Sequence, residues 1–269
     1  MRYKIGEVAR VLGISTDLIR YYEEKGVVKP KKDRSNRYRY YDAADVDLLI
    51  DCIWYKKMGF GIEKIGRMSN VESYDDLVAR LMARSEEISQ GIRYQEMLLA
   101  RMRNLTDSVA HARGGIGVCG LRTNREFLYY LNRKNETFAD APGLRSLNEE
   151  WSGYMPFTKR LFHIGAAALA GENDEYQWGY SIGMEYASYF SIGAAPPIWK
   201  MPESLCVHAA FSSRGAEDFS ARRLDFLKAY ADENKLRPKG FAFGNLVCGV
   251  MEDGQLTRYF EAWLPVEKA

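Results

Sequence analysis

Two groups of residues in this 269-residue chain have the types and spacing that recognition chemistry needs. The first is the run Thr16 to Tyr41, TDLIRYYEEKGVVKPKKDRSNRYRYY. Its Lys and Arg side chains neutralise phosphates, and its tyrosine hydroxyls bond phosphate oxygens while the rings pack on sugars. A merely solvated face needs the charge but not the interleaved aromatics. The second is Tyr259, Glu261 and Trp263, which strand alternation puts on one face of a sheet, with Phe260, Ala262 and Leu264 on the other. A carboxylate between two rings is a cation trap, because the acid supplies charge and the rings supply dispersion and quadrupole attraction. The same spacing also fits a glutamate on a solvated sheet face beside scattered aromatics.

Other chemistries find little support. Cys52, Cys119, Cys206 and Cys248 lie far apart, with no CxxC and no Cys/His cluster, so neither zinc nor a disulfide framework is expected. His111, His163 and His208 have no motif neighbours, and no GxSxG or HExxH occurs. We therefore expect no metal, no cofactor and no enzyme. No apolar run approaches the roughly 18 residues needed to span a bilayer, which points to a soluble, cytoplasmic chain without a membrane partner. Apolar residues make up 46% of the sequence and the net charge is +2. Residues 1 to 41 hold 11 Lys/Arg against 5 Asp/Glu, so the basic charge is concentrated in the first segment and a polyanion is its natural partner.

The elements that position these residues follow from periodicity and caps. Ile5, Val8, Ala9 and Leu12 recur at helical spacing, Gly13 stops that helix, and Ser15 caps the next. Two short helices joined at Gly13-Ile14-Ser15 form a helix-turn-helix, whose second helix enters the major groove. Pro30 excludes a long helix through the basic segment. Asp42 caps a further apolar-striped helix, which Met58-Gly59-Phe60-Gly61 breaks. From Tyr74 to about Ala112 there is no proline, and Gly91 is the only glycine. Leu81, Ile88, Gln95, Met102 and Val109 recur every seven residues, with Ser85, Ile92, Leu99 and Thr106 as companions. That is a heptad seam, and a lone helix carrying it wants a partner. After Gly114-Gly115 the pattern changes. Strands are expected near 126–132, 163–170 and 177–187 around a helix near 144–161. A second β-α-β-β round follows, with strands near 205–211, 244–250 and 257–265 and a helix near 216–233.

The N-terminal residues resemble the MerR-type transcription regulators. Their signature runs roughly (T/S)-x-x-L-R-Y-Y-E-x-x-G-L-(L/I)-x-P, followed by G-Y-R-x-Y. Thr16, Arg20-Tyr21-Tyr22-Glu23, Gly26, Pro30 and Tyr38-Arg39-Tyr40-Tyr41 match it in register. Ile19 replaces leucine, Val27-Val28 replaces Leu-Leu or Leu-Ile, and Arg37 stands where the wing glycine is expected. The closing phrase Tyr259-Phe260-Glu261-Ala262-Trp263-Leu264-Pro265-Val266 resembles the last strand of gyrase-inhibitor-like effector domains, a looser match.

These resemblances imply an α+β chain in three parts. Residues 1–72 form a winged helix-turn-helix, 73–113 a dimerisation coiled coil, and 114–269 an antiparallel-sheet, small-molecule effector domain of two β-α-β-β halves. The DNA contacts expected are Thr16, Arg20, Tyr21, Tyr22, Lys31, Lys32, Arg37, Tyr38, Arg39 and Tyr41. The homodimer seam falls on Leu81, Ile88, Ile92, Leu99 and Met102. Ligand contacts are expected from Glu261, Tyr259 and Trp263, then from Tyr154, Trp178, Tyr180, Glu185 and Trp199. As part of a strand, Glu185 faces opposite to Tyr180 and Tyr186, so only one of these sets meets the groove. The implied partners are double-stranded promoter DNA, RNA polymerase holoenzyme and a lipophilic or cationic effector that triggers activation by promoter distortion. Two rival readings remain: an effector domain that hydrolyses reactive small molecules with Glu261 as base, and a ligand-independent repressor.

Overall fold

The computed structural model describes residues 2–32, 38–68, 73–214 and 219–268. The chain divides into two compact units, Met1–Tyr94 and Gln95–Ala269.

In the first unit, β1 (Tyr3–Lys4) leads into α1 (Ile5–Leu12), which Gly13 ends in the left-handed region at φ 65°. The Ser15 hydroxyl accepts the Leu18 amide at 3.1 Å and so starts α2 (Thr16–Glu24). Strands β2 (Lys31–Lys32) and β3 (Arg39–Tyr41) pair antiparallel, and β3 lies between β1 and β2. Asp42 and Asp45 then exchange backbone amides in a reciprocal cap at the start of α3 (Ala43–Lys57). Helix α4 (Ile62–Met68) follows, and the 41-residue α5 (Tyr74–Gly114) leaves the unit. The core gathers Val8, Ile19, Tyr22, Val28, Tyr41, Leu49, Cys52 and Ile65, with Leu77 and Leu81 of α5 packed against it.

The second unit is built on a ten-stranded antiparallel sheet with the order β4-β10-β13-β12-β7-β8-β5-β6, flanked by β9 on β5 and β11 on β13. Its elements run β4 (Gly120–Asn124), β5 (Phe127–Lys134), β6 (Thr137–Phe138), α6 (Leu144–Gly153), β7 (Thr158–Ile164), α7 (Ala166–Leu169), β8 (Gln177–Gly183), α8 (Met184–Tyr189), β9 (Trp199–Met201) and β10 (Ser204–Arg214). A 3₁₀ turn (Ala221–Leu224), α9 (Asp225–Glu233), β11 (Leu236–Pro238), β12 (Ala242–Glu252) and β13 (Gln255–Lys268) complete it. The order β5-β8-β7 in one half mirrors β10-β13-β12 in the other. The halves join through β7 and β12, where Leu161 faces Asn245 and Ile164 faces Ala242.

One face of the sheet is apolar and covered by helices. Phe162, Phe211 and Phe260 pack there with Leu224, Leu227 and Ala231. Phe260 stacks on Phe211 at 4.8 Å, and Trp151 of α6 meets Tyr130 edge-on at 4.9 Å. Truncating one such ring to alanine costs about 3–5 kcal/mol.

Four boundaries differ clearly from the sequence expectation; of the helix expected near 216–233, the α-helical part begins only at Asp225, after the 3₁₀ turn at Ala221–Leu224. The helix expected over 144–161 stops at Gly153, because Pro156 lacks a helical N–H and disfavours α geometry at Met155. The strand expected over 163–170 is instead β7 at Thr158–Ile164; beyond Gly165 the Ala166-Ala167-Ala168 run takes the helical state that alanine favours. The strand expected to reach Ala187 ends at Gly183, which becomes the N-cap of α8. Glu185 is therefore helical, and strand alternation does not separate it from Tyr186.

Candidate functional site

On the first unit, Arg20 stands exposed on α2, with Nη1 3.1 Å from Asp17. Tyr21 is exposed beneath the Lys25 ammonium, 5.6 Å from the ring centre, and Tyr38 beneath Lys4 at 5.8 Å. Lys31 reaches Asp42 at 3.4 Å but stays largely in solvent, as does Lys32. Thr16 is half-buried in the first turn of α2. Arg37, expected in the wing, lies outside the described residues. Cation–aromatic pairs of this kind hold a basic surface in place, and Lys4 and Lys25 are members that sequence reasoning missed.

Two expected contacts are corrected. Tyr22 and Tyr41 are fully buried core residues, so neither side chain reaches a groove. The Tyr41 hydroxyl donates to Glu23, whose other carboxylate oxygen meets Arg39 Nε at 3.1 Å. Burial, then the bond to Glu23, pushes the Tyr41 hydroxyl far above the ordinary tyrosine range. Glu23 thus clamps β3 to α2, and Arg39 spends part of its charge inside the unit.

The second unit holds a cavity of about 610 Å³. Its floor comes from alternate residues of neighbouring strands: Lys159 of β7, Ser181 of β8, Asn245 of β12, and Glu261 and Trp263 of β13. Ser181 Oγ donates to Asn245 Oδ1 at 3.1 Å, which fixes the middle of the floor. Glu185 and Tyr186 of α8 close one side. Arg101, Asn104, Ser108 and His111, at helical spacing on α5, close another. Arg101 is pinned there by its Nε bond to the Pro156 carbonyl at 2.9 Å.

Of the expected ligand residues, Glu261, Trp263 and Glu185 line this cavity. Tyr259 is buried beside Ala112 and Ala210, and its hydroxyl is committed to Glu252 at 2.8 Å. Trp178 and Tyr180 belong to the opposite register and border a separate cavity of about 260 Å³. Tyr154 packs on Phe190 at 4.6 Å and donates to Glu150, and Trp199 is exposed on the short β9. Tyr180 also borders a further cavity of about 320 Å³ that Glu261, Lys159 and Arg101 line, whereas Trp178, Tyr154 and Trp199 share no cavity with Glu261.

Charge in the cavity is mixed. Burial, followed by Arg101, draws the Lys159 ammonium below the ordinary lysine range, while Glu261 and Glu185 oppose that shift. Burial and Arg122 pull His208 down to about 4, so it is a neutral imidazole at pH 7, with its ring 4.1 Å from that of Trp263. Among the described residues no group of three or more His, Cys, Asp or Glu side chains could hold a metal ion, and no helix is long and apolar enough to cross a membrane.

The MerR HTH family regulatory protein profile matches residues 3–71, the segment of α1 to α4. The HTH-type transcriptional regulator CueR of Escherichia coli O6:H1 is 31% identical over 113 residues, which is 40% of this chain and 81% of that one. The chain belongs to the MerR family. It is accordingly a DNA-binding transcription regulator of the helix-turn-helix type. Its similarity to the Caulobacter vibrioides regulator SkgA runs further, at 28% identity over 179 residues, covering 62% of this chain and 70% of that one. The solved EcmrR–DNA complex in EcmrR-RPo aligns with 99% of this chain and 100% of its own, at 17% identity and a TM-score of 0.39.

Proposed function

We propose that this MerR-family protein is a ligand-responsive activator in which a small molecule bound by the second unit alters how a homodimer shapes its promoter. The observation that carries the reading is the composition of the cavity wall: Arg101, Asn104, Ser108 and His111 are among the α5 residues that line a pocket of about 610 Å³, together with strands of the sheet, α8 and adjoining loops. Pockets of ~300–1,000 Å³ suit drug-sized ligands. The ligand would therefore touch the helix whose first turns, through Leu77 and Leu81, pack in the core of the DNA-binding unit.

Residues 1–72 act as a winged reader, with Arg20 and Tyr21 toward the groove and Lys31, Lys32 and Tyr38 toward the backbone. The seam residues Ile88, Ile92, Leu99 and Met102 are exposed in the single chain, which suits pairing with a second copy. Leu81 is half-buried against its own core and contributes less to that seam. Glu261 and Trp263 receive a cationic group of the effector, with Phe127 and Phe243 as its apolar bed. For the effector to switch transcription it must bind the promoter-distorting state better than the resting one, whatever its total affinity. RNA polymerase holoenzyme would engage the distorted promoter.

A thermal-shift screen of lipophilic cations against the full chain, with hits followed by in vitro transcription, tests this. Stabilisation by mass action and a transcription change from the same compound support it. Full transcriptional output without any ligand points to a ligand-independent regulator. Ligand turnover seen by mass spectrometry points to an enzyme.

A further inference from the structure

Four charged groups of the cavity, Lys159, Arg101, Glu185 and Glu261, are held apart. Opposite charges do close into contact nearby: at the cavity's rim Glu126 meets Lys200 at 2.7 Å, and on α6 Arg145 meets Glu149 at 3.3 Å. Inside the cavity, Lys159 is within electrostatic reach of Glu261, Glu185 and Arg101. Yet among the described residues none of these four enters an ion pair within 4.0 Å. Their supports explain why. Lys159 and Glu261 rise from different strands, with β12 and its Asn245 between them. Glu185 sits on α8, and Arg101 is tethered to the Pro156 carbonyl on the other side.

Arg101 commits only Nε to that carbonyl. The remaining guanidinium N–H groups form a planar fork suited to a carboxylate. Lys159 adds a point charge that burial leaves under-solvated, so an anion from outside gains more there than at a hydrated surface. Across the floor, Glu261 beside Trp263 is the complementary site for an ammonium. Phe127 and Phe243, whose rings lie 5.4 Å apart, offer an apolar bed between.

We infer that Lys159 and Arg101 form an anion subsite facing the Glu261 cation subsite, so that the effector is a zwitterion: a ring-bearing small molecule with an ammonium at one end and a carboxylate at the other. The inference rests on the cavity being the effector site, and it narrows the ligand class. It also gives α5 a direct grip on the ligand, because the carboxylate end is held by a residue of that helix.

The test uses the full-length protein, isothermal titration and thermal shift. The probes are 4-(aminomethyl)benzoate and its homologues with one or two further methylenes between ring and nitrogen, each matched by the amine lacking the carboxylate and by benzoate. At least one zwitterion should bind tenfold or more tightly than both of its singly charged counterparts. Lys159→Gln should reduce that zwitterion to the affinity of its matched amine without weakening the amine, and Glu261→Gln should reduce it to the level of benzoate. Arg101→Gln serves as the second variant should Lys159→Gln fold poorly by near-ultraviolet circular dichroism. If an amine alone binds as tightly as the best zwitterion, the anion subsite is refuted while a cation-sensing cavity stands. Equal losses for every probe in Lys159→Gln would mean an internal structural pair, which also refutes it. Binding of no probe at all overturns both this inference and the cavity's role as effector site.

Discussion

Replacing Tyr41 with phenylalanine separates a structural role from a DNA contact. The residue is fully buried, and its hydroxyl donates to Glu23, whose side chain is only 12% exposed and also meets Arg39 at 3.1 Å. Removing the hydroxyl deletes a hydrogen bond to a charged acceptor, worth about 1.5–3 kcal/mol, and leaves the ring in place. Glu23 keeps Arg39, but that partner is 45% exposed, and a pair so open to water contributes about 0–1 kcal/mol. The expected loss is therefore about 2 kcal/mol, concentrated where β3 meets α2. Arg39→Ala should cost less than about 1 kcal/mol, and the double variant should be non-additive because both partners share one carboxylate. Amide hydrogen exchange of α2 and β3 in the full chain reads the local stability, and fluorescence anisotropy on selected operator DNA reads binding. Affinity should fall only as far as the folded fraction of the reader falls, and cooling toward the stability maximum should recover it. Unchanged exchange protection combined with a tenfold or greater loss of DNA affinity would refute the clamp and return Tyr41 to the interface.

If the exposed guanidinium on α2 reads base edges, as proposed, Arg20→Ala should abolish site-specific footprints at low as well as high salt; retained footprints would sink that assignment. Gly244→Ala should destabilise the second unit by at least about 3 kcal/mol in denaturant titration, since an added Cβ would lie 2.0 Å from the Glu261 carbonyl and 2.4 Å from the Phe162 ring. Gly249→Ala, whose added carbon meets Leu256 Cδ1 at 3.4 Å, is the mild control. His208 is held down to about 4 against an ordinary 6.5, so the unfolded chain binds the extra proton first as pH falls. Its contribution is complete above pH 6.5 and drains away between 6.5 and 4, by about 1–2 kcal/mol once screening by cavity solvent is allowed for. His208→Gln should flatten stability over that window, and an unchanged slope would remove His208 as the cause.

The reader was legible because its determinants are local. Gly13 stops α1, Ser15 starts α2, and Asp42 starts α3, each within a few residues of what it controls. Tyr22 and Tyr41 were misplaced for a related reason. A tyrosine in a basic run has the same composition whether it points to a groove or to the core, and only the helix phase with Ile19 and the pairing of β3 decide it. The cavity was half legible. Alternation along β13 put Glu261 and Trp263 on one face, since that rule needs a single strand. Lys159 lies about 100 residues earlier, on a strand linked to β13 only through β12, and no local pattern reports such a neighbour. Trp178 and Tyr180 fell to the other register because β8 pairs β7 and β5, which places their rings over the helix-covered face.

Helix α5 shows how one sequence pattern can hide another. The heptad reading used the positions of Ile92, Leu99 and Met102 and assigned no role to the remaining face. Met102 is 60% exposed and Ile92 is 54% exposed, so the seam is unsatisfied in a single chain. Arg101, Asn104, Ser108 and His111 follow the same helical period, offset from the seam, and form the cavity wall. If the seam pairs with a second copy and the cavity takes the effector, as proposed, two faces of one helix carry separate obligations. Turning or sliding the helix to improve a contact in the cavity necessarily moves Leu99 and Met102 on the seam, because a helix of this kind is stiff over a few turns. A close-packed seam has discrete registers rather than a continuum. An effector gripping Arg101 would then choose between registers, and its differential affinity for the two, not its total affinity, would set the size of the response.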